Sequence, residues 1–226
     1  MSEDARDPVP ARDPDRLRIS ELFFSLQGET SRVGLPTVFI RLTGCPLRCS
    51  WCNTAYAFSG GEWWGIGEIL GAVARHPCRR VTVTGGEPLA QKACLPLLTA
   101  LCDAGCDVSL ETSGALDIGG VDARVSRIVD LKAPGSGETG RNFWANLALL
   151  TPRDELKIVI ADRADYDWAC AALREHRLAE LCPVLLAPVQ GCLNPTDLAN
   201  WILADGLPVR FQLQLHKLLW GNTPGT

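Results

Sequence analysis

Three closely spaced cysteines carry the clearest chemical signal in the sequence. Cys45, Cys49 and Cys52 have the spacing C-x3-C-x2-C and directly follow an apolar run, TVFIRL, at 37–42. Cysteine thiolates hold iron–sulfur clusters, and a cubane cluster commonly takes four of them. Three protein ligands leave one iron open, and an open position on a catalytic metal binds a small molecule. The spacing therefore predicts a [4Fe–4S] cluster with one iron free to take a ligand.

A zinc site and a set of buried structural thiols are the alternative interpretations of these cysteines. A zinc ribbon requires a second C-x2-C pair, and the seven other cysteines form none. The spacing therefore disfavours zinc, while structural thiols stay an alternative. We expect structural roles for Cys78, Cys94, Cys102, Cys106, Cys170, Cys182 and Cys192.

A second motif, Gly85-Gly86-Glu87, ends the β-branched run VTVT at 81–84. Glycines at the end of a strand let the backbone approach a ligand closely. The carboxylate of Glu87 is suited to accept hydrogen bonds from a ligand ammonium group. Two isolated glycines are as well explained by an ordinary turn. The motif becomes diagnostic because of its position, one strand–loop–helix unit after the cysteines.

Polar residues before the cysteines have a structural interpretation beside a functional one. On residue chemistry alone, an ordinary polar turn explains Gln27 and Glu29 in the segment LQGE. Arg41 stands among apolar residues of a predicted strand, where burial is costly unless the charge is paired. Its bidentate fork suits a carboxylate ligand, and a structural salt bridge is the alternative.

The same choice arises for polar residues after the cysteines. On residue chemistry alone, Thr54 is predicted to cap the next turn. Asp130 and Lys132 stand at a predicted strand end, where structural ion pairs also occur. His216 near the C-terminus is either a ligand-facing group or a hydrogen-bonded packing residue.

Apolar runs alternate with helical patterns along the chain and predict the elements that position these residues. Runs rich in β-branched and aromatic residues predict strands at 23–26, 37–42, 81–84, 107–112, 127–131, 155–160, 183–187 and 209–215. Wider apolar spacing predicts helices over Ile66–His76, Lys92–Ala104, Arg163–Arg177 and Pro195–Asp205. This alternation predicts an α/β fold with a parallel sheet, either open or curled into a full or partial barrel. The site is then expected at the carboxyl ends of the strands.

Composition predicts one domain over residues 18–226, preceded by a disordered leader over 1–17 that is rich in proline and charge. We find no secretory h-region and no uninterrupted apolar run of about 18 residues. The net charge of −4 gives no basic footprint for nucleic acid. We therefore expect a cytoplasmic protein with a small-molecule substrate and neither a nucleic-acid nor a membrane partner.

The cysteine loop followed by the GGE motif resembles the signature of the radical S-adenosylmethionine (SAM) superfamily. The resemblance implies a partial (β/α) TIM-like barrel with parallel strands and outer helices. It also implies that SAM chelates the open iron and that an external electron donor, flavodoxin-like or ferredoxin-like, reduces the cluster to start radical chemistry. The protein's part is then to fix geometry and exclude water.

From about Ile19 to the C-terminus, the sequence is similar to the 7-carboxy-7-deazaguanine synthase family. The segments that carry this similarity are SELFFSLQGE, DLKAPGSGE, APVQGCLNP and LQLHKLLWG. The resemblance implies a lyase, acting as a homodimer in 7-deazapurine (queuosine precursor) biosynthesis. It would convert 6-carboxy-5,6,7,8-tetrahydropterin to 7-carboxy-7-deazaguanine with loss of ammonia, using Mg²⁺ as well as SAM.

The resemblance also implies a role for each matching position, with no catalytic side chain beyond the cofactor and substrate ligands. The cluster ligands are Cys45, Cys49 and Cys52, and the Mg²⁺ ligand is Thr54. The expected SAM-binding residues are Trp51, Asn53, Gly86, Glu87, Glu111, Ser113, Asp130, Lys132, Ala187 and Gln190. The expected substrate-binding residues are Leu26, Gln27, Gly28, Glu29, Arg41, Thr84 and His216.

Two other functions compete with this one. A glycyl-radical activating enzyme is also a short radical SAM protein, but its resemblance does not account for LQGE, Arg41 and Thr54 together. A non-enzymatic zinc-binding module would be colourless as purified. The colour of the anaerobically purified protein distinguishes the zinc module from both enzymes.

Overall fold

A nine-stranded sheet organises residues 15–221, 223 and 225, which the computed structural model describes. Its strands are β1 (Arg16–Leu26), β2 (Pro36–Leu42), β3 (Glu62–Gly65), β4 (Arg80–Gly85), β5 (Asp107–Thr112), β6 (Ser126–Leu131), β7 (Glu155–Ile160), β8 (Val184–Pro188) and β9 (Arg210–Phe211). They lie in the order β3-β1-β2-β4-β5-β6-β7-β8-β9.

The sheet is parallel from β2 through β9, whereas β1 pairs antiparallel with both β2 and β3. Strands β3 and β9 form its two edges, so the sheet is open. The predicted α/β fold, a partial barrel of parallel strands with helices between them, is confirmed. Strand β1 was predicted only over 23–26, and β3 was not predicted. The antiparallel pairing of these two strands was not predicted either.

Six α-helices complete the described part of the chain. They are α1 (Ile66–Ala74), α2 (Cys94–Asp103), α3 (Arg163–Glu175), α4 (Leu178–Leu181), α5 (Pro195–Asp205) and α6 (Leu215–Trp220). Helix α5 has the predicted bounds because its start is well specified: the Asn194 side chain accepts a hydrogen bond from Thr196 N, and Pro195 occupies the first turn. None of these helices, over the residues described, is long and apolar enough to cross a bilayer.

The core lies between the sheet and the helices. Parallel strands covered on one face by helices supply apolar side chains such as Val83, Leu110 and Ile158, and each is fully buried. Helix α2 adds Leu97 and Leu101 from one face, at the four-residue spacing of a buried stripe. Burial of each large side chain stabilises the fold by about 1.5–3 kcal/mol, so the core fixes the strand ends that face the site.

The strand predicted at 209–215 is wrong over most of its length. Only Arg210–Phe211 pair with β8, and the chain enters helix α6 at Leu215. The alternating pattern fits a strand, but the segment bonds to another partner: Gln212 Nε2 donates to Thr30 O, and Gln212 Oε1 accepts from Thr30 N. His216 therefore lies in α6 rather than at the end of the last strand.

The boundary of the predicted leader is also corrected. Strand β1 begins at Arg16, and Leu17 is fully buried against the core. Residues 1–14 lie outside the described residues, so disorder there stays a prediction.

Candidate active site

The carboxyl ends of the parallel strands line one cavity of about 610 Å³. Every residue predicted for the site lines this cavity except Glu87 and Ala187. The lining residues that were not predicted include Phe23, Phe39, Lys157, Val159, Cys192, Gln214 and Lys217. The structure therefore brings most of the predicted residues together at one cavity, and the role of each residue stays a prediction.

The three clustered cysteines are free thiols, partly exposed, and all face the cavity. Burial raises the pKa of the Cys45 and Cys49 thiols, and the neighbouring charge of Cys52 adds to both shifts. Metal coordination removes such protons outright. Among the described residues, no three His, Cys, Asp or Glu side chains surround a point that would hold a single ion. Three thiols that face one cavity are a donor set that suits an iron–sulfur cluster.

The cysteine loop is held from its far side by the segment that follows β6. Ser50 N donates to Ser136 O (3.0 Å). Trp51 packs so closely on Gly135 that a Cβ there would lie 3.0 Å from its ring. Gly135 N in turn donates to Asp165 Oδ1 (2.7 Å) at the start of α3. These contacts restrict a loop that otherwise has no regular structure.

The GGE turn contacts the cysteine loop directly. A Cβ on Gly86 would lie 2.1 Å from Gly44 O and 2.9 Å from Cys45 Cβ. Gly85 has a φ of +143° and would place a Cβ 2.2 Å from Leu42 O. Only glycines allow this approach, so the two motifs form one backbone unit.

The structure corrects the expectation that the Glu87 carboxylate meets SAM. Glu87 is fully buried, and both of its oxygens are occupied. Oε1 accepts from Leu89 N (2.9 Å), and Oε2 accepts from Ser113 N (2.7 Å) and from the hydroxyl groups of Thr112 and Ser113. A carboxylate satisfied by backbone and hydroxyl donors has a structural role here.

Ala187 is the second correction. Its side chain is covered within β8, 1% exposed, and does not line the cavity. The cavity is instead lined by Val189, Gln190 and Cys192, which follow the strand.

Glu111 is joined to the residues expected to bind substrate. Its Oε1 accepts from Gln27 Nε2 (3.2 Å), and its Oε2 accepts from Thr84 Oγ1 (3.0 Å). Burial raises the pKa of Glu111, the charge of Lys157 opposes that shift, and the charge of Glu29 adds to it. Glu111 was predicted to bind SAM; it contacts Gln27 and Thr84, two residues predicted to bind substrate, and its role stays a prediction.

A chain of ion-paired side chains lines the cavity. Lys132 Nζ contacts Asp130 Oδ2 at 2.6 Å, as the strand-end pair suggested. Lys157 Nζ lies 3.3 Å from Asp130 Oδ1 and 2.9 Å from Glu29 Oε2. Lys157 was missed, although a lysine inside the apolar run ELKIVI gives the same signal that drew attention to Arg41.

Arg41 forms a salt bridge with Glu21, which was the structural alternative to its binding a carboxylate ligand. Its Nε donates to Glu21 Oε1 (2.6 Å) on the antiparallel strand β1, and Tyr56 Oη donates to the same oxygen (2.8 Å). The side chain still lines the cavity beside Phe23 and Phe39. The ion pair therefore fixes the guanidinium at the wall of the cavity.

His216 packs directly on Gly28. A Cβ on Gly28 would lie 2.0 Å from His216 Nδ1, and Leu215 N donates to Gly28 O (2.9 Å). Burial lowers the pKa of His216, partly opposed by the charge of Glu29. The segment that begins α6 thus forms a wall of the cavity over the LQGE loop.

Thr54 precedes a short 3-10 helix, Ala55–Phe58, but its side chain makes no capping hydrogen bond there. The hydroxyl lies 3.8 Å from Cys52 Sγ, and the residue lines the cavity. The capping interpretation of Thr54 is therefore wrong.

Comparison with known proteins agrees with this geometry. The family model described as the radical SAM superfamily matches residues 39–184. This chain belongs to the radical SAM superfamily, as its two motifs predicted. The structure resembles that of QueE from Escherichia coli, with a TM-score of 0.73 and 25% identity over 89% of this chain and 95% of that one. It shares its fold alone with Streptococcus suis SuiB, which has a TM-score of 0.56 and 13% identity over 76% of this chain and 46% of that one.

Sequence relatives narrow the assignment. The 7-carboxy-7-deazaguanine synthase of Chlorobaculum tepidum is 48% identical over 90% of this chain and 94% of its own length. That of Koribacter versatilis is 43% identical over 93% of this chain and 99% of its own length. Within the superfamily, the chain belongs to the 7-carboxy-7-deazaguanine synthase family.

Proposed function

We propose that this chain is a carbon–nitrogen lyase that converts 6-carboxy-5,6,7,8-tetrahydropterin to 7-carboxy-7-deazaguanine, with loss of ammonia. The observation that carries the proposal is the composition of one cavity. Three free thiols line it together with three side chains that carry acid and amide groups, Gln27, Glu29 and Glu111. A radical source and a polar heterocycle site are thus close together.

Cys45, Cys49 and Cys52 would hold the [4Fe–4S] cluster. When bound, cluster and SAM supply the radical chemistry. Gly86 lets the GGE turn contact the cysteine loop, since a Cβ there would collide with Gly44 and Cys45, and its own contact with SAM would be through the backbone. The other expected SAM contacts that line the cavity are Trp51, Asn53, Ser113, Asp130, Lys132 and Gln190.

Other residues that line the cavity offer partners for each part of a carboxylated pterin. The guanidinium of Arg41 suits the substrate carboxylate. Gln27 and Glu29 suit the N–H and carbonyl edge of the pterin ring. His216 covers Gly28, and Leu26 and Thr84 complete the wall.

Thr54 is proposed as the one protein ligand of Mg²⁺, with substrate oxygens and water filling the shell. Replacing Thr54 with valine should raise the Mg²⁺ concentration needed for half-maximal activity by about tenfold, because one of roughly six ligands is lost. Titrating Mg²⁺ into metal-free enzyme measures the shift. Replacing Thr139, a hydroxyl outside the cavity lining, with valine serves as the control and should leave the titration unchanged. An unchanged titration in Thr54→Val would remove Thr54 from the ion.

The remaining features proposed for this protein follow from its family and its chemistry. It works in the cytoplasm as a homodimer and requires an external flavodoxin-like or ferredoxin-like electron donor. It binds neither nucleic acid nor membrane.

An anaerobic assay tests the function directly. Reconstituted enzyme is incubated with 6-carboxytetrahydropterin, SAM, Mg²⁺ and reductant, and product is identified by mass spectrometry. We expect 7-carboxy-7-deazaguanine and ammonia in equal amounts. A protein with a full cluster that makes no deazaguanine would favour the glycyl-radical activating enzyme instead.

A further inference from the structure

We propose that Lys157 is a positioning residue that holds the carboxylate of Glu29 as a fixed anion, so that Glu29 accepts hydrogen bonds from the N–H edge of the substrate. The inference rests on the proposed function, because it assumes that a pterin occupies this side of the cavity. It concerns a residue outside the set that sequence motifs predicted for the site.

The first argument is the arrangement around Glu29. Lys157 Nζ contacts Glu29 Oε2 at 2.9 Å, and Gln214 Nε2 donates to Glu29 Oε1 at 2.7 Å. Each oxygen therefore has one protein donor, and a carboxylate oxygen has room for two. All three residues line the cavity, so the unused acceptor positions are within reach of a ligand.

The second argument is that Lys157 is itself anchored. Its register partner across β6 and β7 is Asp130, whose Oδ1 lies 3.3 Å from Nζ, while Lys132 contacts Oδ2 of the same carboxylate. The Lys157 side chain is only 11% exposed, so its ammonium has little freedom to leave these two acids. A charge held between two fixed partners defines where the Glu29 oxygen must lie.

The third argument is electrostatic. Burial opposes ionisation of Glu29, and the attraction and hydrogen bond of Lys157 reverse that effect, so the pKa of Glu29 lies below its ordinary value. A protonated Glu29 would present a donor to the N–H groups of a pterin. Lys157 itself remains charged: burial lowers its pKa, but Asp130, Glu29 and Glu111 raise it well above the ordinary value.

Several other charged groups surround Glu29 and must stay constant in any test. They are Glu111 on β5, Asp130 on β6, Arg41 on β2, and His216 and Lys217 on α6. Burial lowers the pKa values of His216 and Lys217 on α6, and the charge of Lys157 adds to both shifts. Removal of Lys157 therefore also acts on these two groups, and a variant that changes no charge is needed beside it.

The decisive variant is Lys157→Met, compared with Lys157→Arg. Loss of the cation lets burial and the acids Glu111 and Asp130 raise the pKa of Glu29. At saturating SAM we expect the substrate KM to rise by about tenfold or more near pH 8. The ratio of variant to wild-type KM should rise further as pH falls from about 8 to about 5.5, because Glu29 takes up a proton. Lys157→Arg should restore most of the affinity and the flat ratio.

Lys132→Met is the matched control, since it removes the other buried lysine that contacts Asp130. Whatever it does to SAM binding, it should add no acidic rise to the substrate KM ratio. Because both enzymes act on the same substrate, protonation of the substrate does not change the ratio of their KM values. An equal acidic rise in Lys132→Met would overturn the proposal, as would a flat ratio in Lys157→Met with a full iron content.

Gln214→Leu keeps the proposal testable if Lys157→Met does not fold, because it changes no charge. It removes the donor to the other Glu29 oxygen and should raise the substrate KM by a few-fold, with a smaller acidic rise. An unchanged KM would overturn the proposal. Failure of the proposed function is a separate outcome, because the wild-type enzyme would then form no deazaguanine at any pH.

Discussion

Cys49→Ala protein is expected to lose its cluster absorption and to fall from about four irons per chain to well below that value after anaerobic reconstitution. A cubane with two protein ligands instead of three is poorly held. Product formation should fall by at least about 10³-fold, because the variant loses the unit that carries the difficult chemistry. Iron and sulfide analysis, together with the visible spectrum, measures the first effect, and the deazaguanine assay measures the second.

Two cysteine controls make this experiment specific. Cys102 lies in α2 and packs against the core, so Cys102→Ala should keep its full iron content. Cys192 is exposed and lines the same cavity as the cluster ligands, so it is the stricter control. Cys192→Ala should also keep four irons. A normal cluster in Cys49→Ala, or an equal loss in Cys192→Ala, would contradict the assignment of three ligands.

Glu87→Gln is expected to destabilise the fold by about 2–4 kcal/mol. The amide cannot accept from Leu89 N, Ser113 N and the Thr112 hydroxyl together, and its NH₂ group would face one of these donors. For a domain of this size, each kcal/mol lowers Tm by about 2–4 °C. Thermal or urea unfolding of the apoprotein measures the change.

The same variant separates a structural carboxylate from a SAM ligand. If Glu87 holds the turn, the loss of stability should exceed any loss of SAM affinity in the protein that remains folded. Glu62→Gln, at an exposed strand position, should change stability by no more than about 0.5 kcal/mol. Stability equal to wild type together with weak SAM binding would restore Glu87 to the cofactor site.

Local pattern was sufficient to place the strands that carry the site. The run ELKIVI has the bounds of β7, and DVSLET has those of β5, because both are short and rich in residues that favour a buried strand. Since parallel strands end at one edge of the sheet, residues at their carboxyl ends came together without any long-range information. The cavity therefore contains Thr84, Glu111 and Asp130, as predicted.

The direction of a side chain and the residue that it contacts could not be predicted from local sequence pattern. Glu87 directly follows a glycine pair that reaches the cysteine loop, yet its carboxylate is buried and accepts hydrogen bonds from Thr112 at the end of β5 and from Ser113 just after it. Glu29 and Lys157 are 128 residues apart, and their contact depends on how β1 and β7 approach the same cavity. The hydrogen bonds between Gln212 and Thr30 cannot be read from the local sequence. The alternating pattern of VRFQLQL therefore predicted a strand there.

The contact of the Gln212–His216 segment with the LQGE loop has a consequence for how the protein is made. Thr30 has a φ of +68°, a conformation that is costly for a β-branched residue, and its backbone is held on both sides by Gln212, 182 residues later. A nascent chain on the ribosome has no such partner until translation has passed Gln212. The LQGE wall of the cavity is therefore expected to be completed only after the chain has been translated beyond Gln212.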